Sequence, residues 1–200
     1  MTDPRQFAPA TQRNRDVILD VLRRTLPATG LVLEIASGSG EHAVHFAASL
    51  PDLVFQPTDP NPDALASIAA WIEAAGARNV RPPVQLDVCQ PFWPIANAAA
   101  IVCINMIHIS PWEATQGLIS GAAAILPSGA ALYLYGPYFR AGVETAPSNL
   151  AFDRSLRERN PVWGIKRLEE VAAVAGSAGF TGPDVTEMPA NNLSVVFRRS

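Results

Sequence analysis

The stretch Leu31-Val32-Leu33-Glu34-Ile35-Ala36-Ser37-Gly38-Ser39-Gly40-Glu41-His42 decides the fold of this 200-residue chain. An apolar run ends in an acid, a turn of small residues follows, and helical spacing begins near Glu41. Strand, tight loop and helix N-terminus in that order are the unit with which open α/β sheets hold a nucleotide-like ligand. Gly38 and Gly40 lack a Cβ, so they admit positive φ and let the backbone approach a ligand closely. Glu34 is the discriminating residue, because an acid at a strand end beneath such a loop suits a cationic ligand.

Working outward, Leu53-Val54-Phe55-Gln56-Pro57-Thr58-Asp59 reads as a second strand that also ends in an acid, nineteen residues beyond Gly40. A carboxylate in that position accepts hydrogen bonds from ribose hydroxyls. Pro60, Asn61 and Pro62 lead into a helix with Leu65, Ile68, Ala69 and Ile72 on one face. A third acid closes Val84-Gln85-Leu86-Asp87-Val88. Taken singly each acid is an ordinary strand-end residue; three at consecutive strand ends point to one ligand crevice.

The pattern Glu34-x-Ala36-x-Gly38-x-Gly40 resembles the glycine-rich first motif of class I S-adenosylmethionine-dependent methyltransferases, with Ala36 standing at the first glycine. The resemblance implies a cofactor-binding set of Glu34, Ala36, Gly38, Gly40, His42, Asp59, Pro60, Asn61, Asp87, Val88, Asn105 and Met106, with Asp87 near the adenine amino group. Gly38-x-Gly40-x-x-Ala43 also fits a dinucleotide fingerprint. An NAD(P)-binding oxidoreductase is therefore one rival reading, and a methyltransferase-fold protein that binds without turnover is another.

Strands are predicted near 31–36, 53–58, 82–88, 99–106 and 129–136, with helices near 41–50, 62–76 and 112–126. An amphipathic helix over 12–26 precedes them, with Ile18, Leu19, Leu22 and Leu26 on its buried face. This alternation argues for a parallel sheet covered on both faces. After a Pro/Gly-rich segment come helices over 148–159 and 166–178, then a hairpin of 180–188 and 193–198. That ending matches the methyltransferase fold and not a six-stranded dehydrogenase fold. The expected architecture is an α/β, Rossmann-like class I methyltransferase fold: a seven-stranded, mostly parallel sheet with an antiparallel C-terminal hairpin strand. It forms a single domain over 1–200, with a cofactor-binding half at 31–136 and a substrate-side insert plus hairpin at 137–200.

Composition bounds the function. A hydrophobic content of 48% with 16% charged residues is ordinary globular material. No apolar run approaches the ~18 residues of a membrane span. The first residues have neither the basic start nor the apolar core of a secretory signal, so a cytoplasmic protein is expected. Cys89 and Cys103 read as reduced core residues. A net charge of −3 carries no footprint for nucleic acid. Locally, Arg154, Arg157, Arg159, Lys166 and Arg167 gather positive charge, either as a solvated helix face or as a site for an anionic substrate.

Four further segments narrow the resemblance: Arg13-Asn14, Asn105 to Trp112, Tyr135-Gly136-Pro137-Tyr138 and Asn160 to Ile165. They resemble the 938th domain-of-unknown-function family, which includes the methyltransferase-like 26 proteins. The reaction implied is methyl transfer from S-adenosylmethionine to a small-molecule acceptor. His108 and Tyr138 are the base candidates, with His108 equally readable as an anchor of its loop. Asn149, Asp153 and Arg157 recur at i, i+4 and i+8, so they share one polar stripe. With Arg13, Asn14 and Trp112 they form the candidate substrate set, although an Asp153–Arg157 salt bridge and a helix cap at Asn14 are competing readings. No Asn/Asp-Pro-Pro-Tyr/Phe run follows the fourth strand. No metal site is indicated, and the oligomeric state is not readable.

Overall fold

The computed structural model describes residues 3–200. Seven strands form one sheet: β1 (Gly30–Ile35), β2 (Leu53–Asp59), β3 (Val84–Gln85), β4 (Ala100–Ile104), β5 (Ala131–Gly136), β6 (Phe180–Met188) and β7 (Asn192–Arg199). Their order across the sheet is β3-β2-β1-β4-β5-β7-β6. β1 pairs in parallel with both β2 and β4, and β7 pairs antiparallel with both β5 and β6. This is the mostly parallel sheet with an antiparallel hairpin that the sequence predicts. Among the described residues six α-helices accompany it: α1 (Pro9–Thr25), α2 (Glu41–Ser49), α3 (Pro62–Ala75), α4 (Trp112–Ile125), α5 (Pro147–Arg159) and α6 (Leu168–Ser177).

The period-two alternation of the central strands divides the core into two layers. Val32, Val102, Tyr133 and Val196 pack with Ile18 and Leu22 of α1 and Phe46 of α2. Leu33, Ile101, Leu132 and Phe197 face the other way, onto Leu118 and Ile119 of α4 and Val171 of α6. β1, β4 and β5 are largely buried on both faces because helices cover both, as expected for parallel strands.

Three expectations are corrected. The third strand, predicted over 82–88, shrinks to Val84–Gln85, because Pro82 and Pro83 have no N–H to give a ladder. Cys89 is exposed while Cys103 is buried; Cys89 lies in a post-strand turn whose N–H donates to the Asp87 carboxylate at 2.9 Å. Asn14 lies inside α1 and is no helix cap.

Ahead of α1, the chain is tied down across the loop that follows β1. The Gln6 N–H donates to Ser67 Oγ at 2.8 Å, and Ser67 Oγ donates to the Ser39 carbonyl at 2.7 Å. The Ala8 N–H donates to the buried Glu41 carboxylate at 2.7 Å. The indole N–H of Trp71 reaches the Gln6 carbonyl, with Arg5 against its ring.

Between β5 and β7, the hydroxyls of Tyr133 and Ser194 hydrogen-bond at 2.6 Å, and both residues are fully buried. Burial pushes the Tyr133 phenol above its ordinary range. Ser194→Ala strands the phenol and is expected to cost about 1–3 kcal/mol in denaturant unfolding. Adding Tyr133→Phe removes the stranded group. The double variant is therefore expected to be more stable than Ser194→Ala alone, and a double variant no better than the single would refute this account.

Candidate functional site

The loop after β1 begins with a residue in an unfavourable conformation. Ala36 has φ 54°, the left-handed region that an L-residue enters at a cost. The turn thus keeps a glycine-like conformation where the motif's first glycine is missing. Gly38 and Gly40 follow at φ 56° and 91°. Space is open where a Cβ at Gly38 would project, whereas a Cβ at Gly40 would lie 2.8 Å from Ile68 Cα of α3. Gly38 thus leaves room on the loop's outer side, and Gly40 lets α2 start hard against α3.

The loop is pinned to β2. Ser37 N–H donates to the Thr58 carbonyl at 2.9 Å, and Thr58 Oγ1 donates to the Glu34 carbonyl at 2.7 Å. Asp59 accepts from Gly38 N–H at 3.0 Å and from Asn61 N–H at 2.9 Å. It therefore serves the loop as well as any ligand. A carboxylate has about four acceptor positions, so two donors leave capacity for a pair of hydroxyls.

Glu34 is buried, and its Oε2 has no hydrogen-bond partner. Burial pushes its carboxyl up to about 7, opposed by a hydrogen bond from Ser37 and reinforced by the nearby Asp59 charge. An orphaned acid of this kind, beneath an open glycine turn, fits a ligand that brings an ammonium group.

A cleft of about 830 Å³ opens at the carboxyl ends of β4 and β5. Arg13 and Asn14 of α1 line one side, with Asn105 and His108 after β4, Tyr135 of β5, and Asn149, Phe152 and Arg159 of α5. Asn105 takes φ 60° and donates its N–H to the Tyr135 carbonyl at 2.9 Å, which turns the chain sharply at the strand end. Asn14 Oδ1 lies 2.9 Å from His42 Nε2, and this links α1 to the first turn of α2. Burial beside His45 and Arg15 drives His42 down to about 3, so the ring is neutral.

His108 sits in the 3₁₀ turn Ile107–Ile109, edge-to-face with Phe152 at 5.4 Å between ring centres. Burial, then the charges of Lys166 and Arg159, pull its imidazole down to about 4. It is a neutral ring with acceptor capacity throughout the neutral range. Its backbone carbonyl accepts from Gly164 N–H, so it also anchors the 160–165 segment. Gly136 leaves the ring its space, since a Cβ there would lie 3.2 Å from Nδ1.

Other expected residues lie elsewhere. Tyr138 is in the core cluster beneath the sheet edge, and burial pushes its phenol far above the usual range, which removes it as a proton acceptor at the cleft. Trp112 packs onto that same core, and Met106 and Val88 are buried within it. Asp87 and Pro60 share a separate groove of about 370 Å³ with Gln85 and Phe92.

The polar stripe expected on α5 is not the row that lines the cleft. Asp153 accepts from Ile165 N–H at 2.7 Å and from Arg157 Nε at 2.9 Å. These two residues clamp the 160–165 segment, and only Asn149 of the expected trio reaches the cleft. Ser148, Phe152 and Arg159, at i, i+4 and i+11, form the facing row. The ion pair marked the neighbouring row, and one residue is about 100° of rotation on a helix.

Comparison with known proteins places this geometry. An O-methyltransferase family protein from Burkholderia thailandensis superposes with a TM-score of 0.81 at 18% identity, covering 96% of this chain and 56% of that one. Human N-acetylserotonin methyltransferase, in complex with S-adenosylmethionine, gives 0.78 at 13% identity, covering 96% and 53%. The fold is that of the class I methyltransferases. A family described as "Protein of unknown function (DUF938)" matches residues 5–199, and the chain belongs to that family. A tRNA (guanine-N(7)-)-methyltransferase from Rhodopseudomonas palustris is 33% identical over 86 residues, 43% of this chain and 32% of that protein. The chain thus spans about a third of that relative and just over half of the two solved structures. Among the described residues, no helix is long and apolar enough to cross a membrane.

Ala36→Gly is expected to stabilise the protein. Relief of the left-handed conformation is worth ~1–2 kcal/mol, offset by ~0.4–1 kcal/mol of extra freedom in the unfolded chain. A net gain of about 0.5–1 kcal/mol should appear in denaturant midpoints, and a loss would show that the Ala36 methyl packs productively.

Proposed function

We propose that the protein binds S-adenosylmethionine at the glycine turn and transfers its methyl group to a small molecule in the cleft. The observation that carries this reading is the buried Oε2 of Glu34, without a hydrogen-bond partner among the described residues, under an open glycine turn, with Asp59 and Asp87 at the next two strand ends. S-adenosylmethionine supplies, when bound, an electrophilic methyl group and a neutral thioether leaving group.

The chain's residues then have separable tasks. Glu34 offers its orphaned oxygen to an ammonium group, and the loop with the start of α2 offers backbone N–H groups to a carboxylate. Asp59 accepts from ribose hydroxyls with the capacity its two backbone donors leave unused. Asp87 faces the groove at the end of β3, where an adenine edge fits. Asn105, held in its left-handed turn, and Asn14, held by His42, border the cleft between cofactor and acceptor. Positioning of this kind is worth roughly 7–11 kcal/mol in a displacement that needs little else. His108 is unprotonated at neutral pH and can accept a hydrogen bond from an acceptor hydroxyl, which orients it; its depressed basicity makes it a weak store for the proton itself. The concave, partly apolar cleft and the net charge of −3 support a small acceptor over a nucleic acid.

S-adenosylhomocysteine should raise the melting temperature, since ligand at ~100 times its dissociation constant adds ~2.7 kcal/mol to stability. No response at millimolar ligand, in melting and in calorimetry alike, sinks the proposal.

Glu34 makes a second expectation about pH. Its native carboxyl titrates near 7, above the ordinary 4.5, so the fold holds a proton that the unfolded chain has already released. Its contribution to the unliganded fold is complete below pH 4.5 and fades as pH rises through 7. A cation beside it reverses the preference, so cofactor affinity should increase from pH 6 to pH 8 with proton release in calorimetry. Glu34→Gln should abolish the pH dependence, weaken cofactor binding about tenfold or more, and stabilise the unliganded protein at pH 8. Unchanged affinity in a folded Glu34→Gln protein would remove the ammonium from this position.

A further inference from the structure

The cleft differs in charge from the chain that forms it. The whole sequence carries a net charge of −3, yet no Asp or Glu lines the cleft, and two arginines from different elements do. Arg13 comes from α1 and Arg159 from the last turn of α5. Arg13 has no ion pair among the described residues. Arg159 makes one bond, from Nε to its own helix's Ser155 carbonyl at 3.3 Å, and rests 5.7 Å from the centre of the Trp163 ring. That arrangement holds the guanidinium plane and leaves its two terminal nitrogens undirected. Arg157, two residues earlier, already has its carboxylate in Asp153.

The cleft lining mixes amide side chains (Asn14, Asn105, Asn149, Asn192) with an apolar part formed by Phe152 and Ile109. Phe152 is 36% and Ile109 43% exposed, although both are large hydrophobic residues, and Phe152 stands against the neutral ring of His108. Contiguous exposed apolar surface bordered by polar groups marks a place where something else packs.

We propose that the acceptor is a small aromatic anion, bearing a carboxylate or phosphate that Arg159 binds, with Arg13 adding positive charge to the same cleft, and a ring that packs on Phe152. This rests on the reading of the cleft as the acceptor site. The physical basis is that a guanidinium takes a carboxylate or phosphate through two parallel hydrogen bonds, which fixes orientation as well as position. The positive field reaches the base candidate too: Arg159 and Lys166 both disfavour a proton on His108. An anion seated at Arg159 cancels part of that field, so the acceptor itself would make His108 more basic.

Calorimetry on the full chain saturated with S-adenosylhomocysteine tests the idea with paired probes: 4-hydroxybenzoate against 4-hydroxybenzamide, and phenyl phosphate against benzyl alcohol. At least one anion is expected to bind tenfold or more tightly than its neutral partner, and whichever pair shows it distinguishes carboxylate from phosphate. Arg159→Gln should erase most of that preference, while Arg24→Gln, at the far end of α1, should leave it intact. Because both arginines are exposed, folding of the variants is checked by melting alone. Anions that bind no better than their neutral partners, no binding by any probe, or equal loss in Arg24→Gln each overturn the proposal. Failure of S-adenosylhomocysteine to bind is a separate result and overturns the cofactor reading beneath it.

Discussion

The reversal of winding between β1 and β4 is the constraint on which the rest of this structure depends. Parallel strands joined by helical crossovers keep one hand. Moving outward from β1 through β2 to β3 therefore lays α2 and α3 on one face, and moving the other way to β4 and β5 lays α4 on the opposite face. The loops leaving β1 and β4 diverge, and a crevice opens between them at the strand ends. Each residue given a role at this edge sits there through backbone register rather than local preference. Ile35 pairs with Cys103, and the next turns carry Ala36 on one side and Asn105 on the other. Both turns are in left-handed conformations with residues that have a Cβ, so the strain of the fold is concentrated where two chain reversals meet over the crevice.

The electrostatics of this edge follow from the same depth. Glu34, His42 and His108 are all taken out of water, and each responds by favouring its neutral form. For the histidines this is compatible with a quiet structural life: His42 has Asn14 as its partner, and His108 holds the 160–165 segment through its carbonyl. Glu34 is different because its Oε2 has no hydrogen-bond partner among the described residues. The asymmetry separates a group that builds the site from one left for a ligand to satisfy. α1 belongs to the same construction, since Asn14 stands between His42 of α2 and the Tyr135 phenol of β5, and so fastens the first helix to the wall of the cleft.

Fold and first loop were legible in the sequence because their causes are periodic and local. The apolar faces of α1, α4 and α6, the strand alternation and the glycine turn all reflect neighbours along the chain. The misses have non-local or competing causes. Pro82 and Pro83 cut β3 short where an apolar run alone reads as a longer strand. The Asp153–Arg157 pair is an i,i+4 pattern visible in sequence, but its purpose is to hold Ile165. Only the docking of α5 shows that the neighbouring row carries Phe152 and Arg159. Tyr138 follows a strand that ends at the crevice, yet its side chain turns into the core. Which way a loop residue faces is a tertiary fact, and no spacing encodes it.

β7 comes last in sequence among the strands described, yet it is an interior strand of the sheet. During synthesis β5 emerges about sixty residues before the segment that pairs with it, and β6 emerges next without touching β5. For that interval the apolar edge of β5 has no ladder partner, and a free apolar edge is where strands of other molecules add. The order in which the ribosome releases the chain therefore leaves the half of the sheet carrying β5 and the hairpin open longest. The glycine turn and its two flanking strands are available much earlier. A nascent chain can thus assemble the strands around the glycine turn while the hairpin side of the sheet is still incomplete.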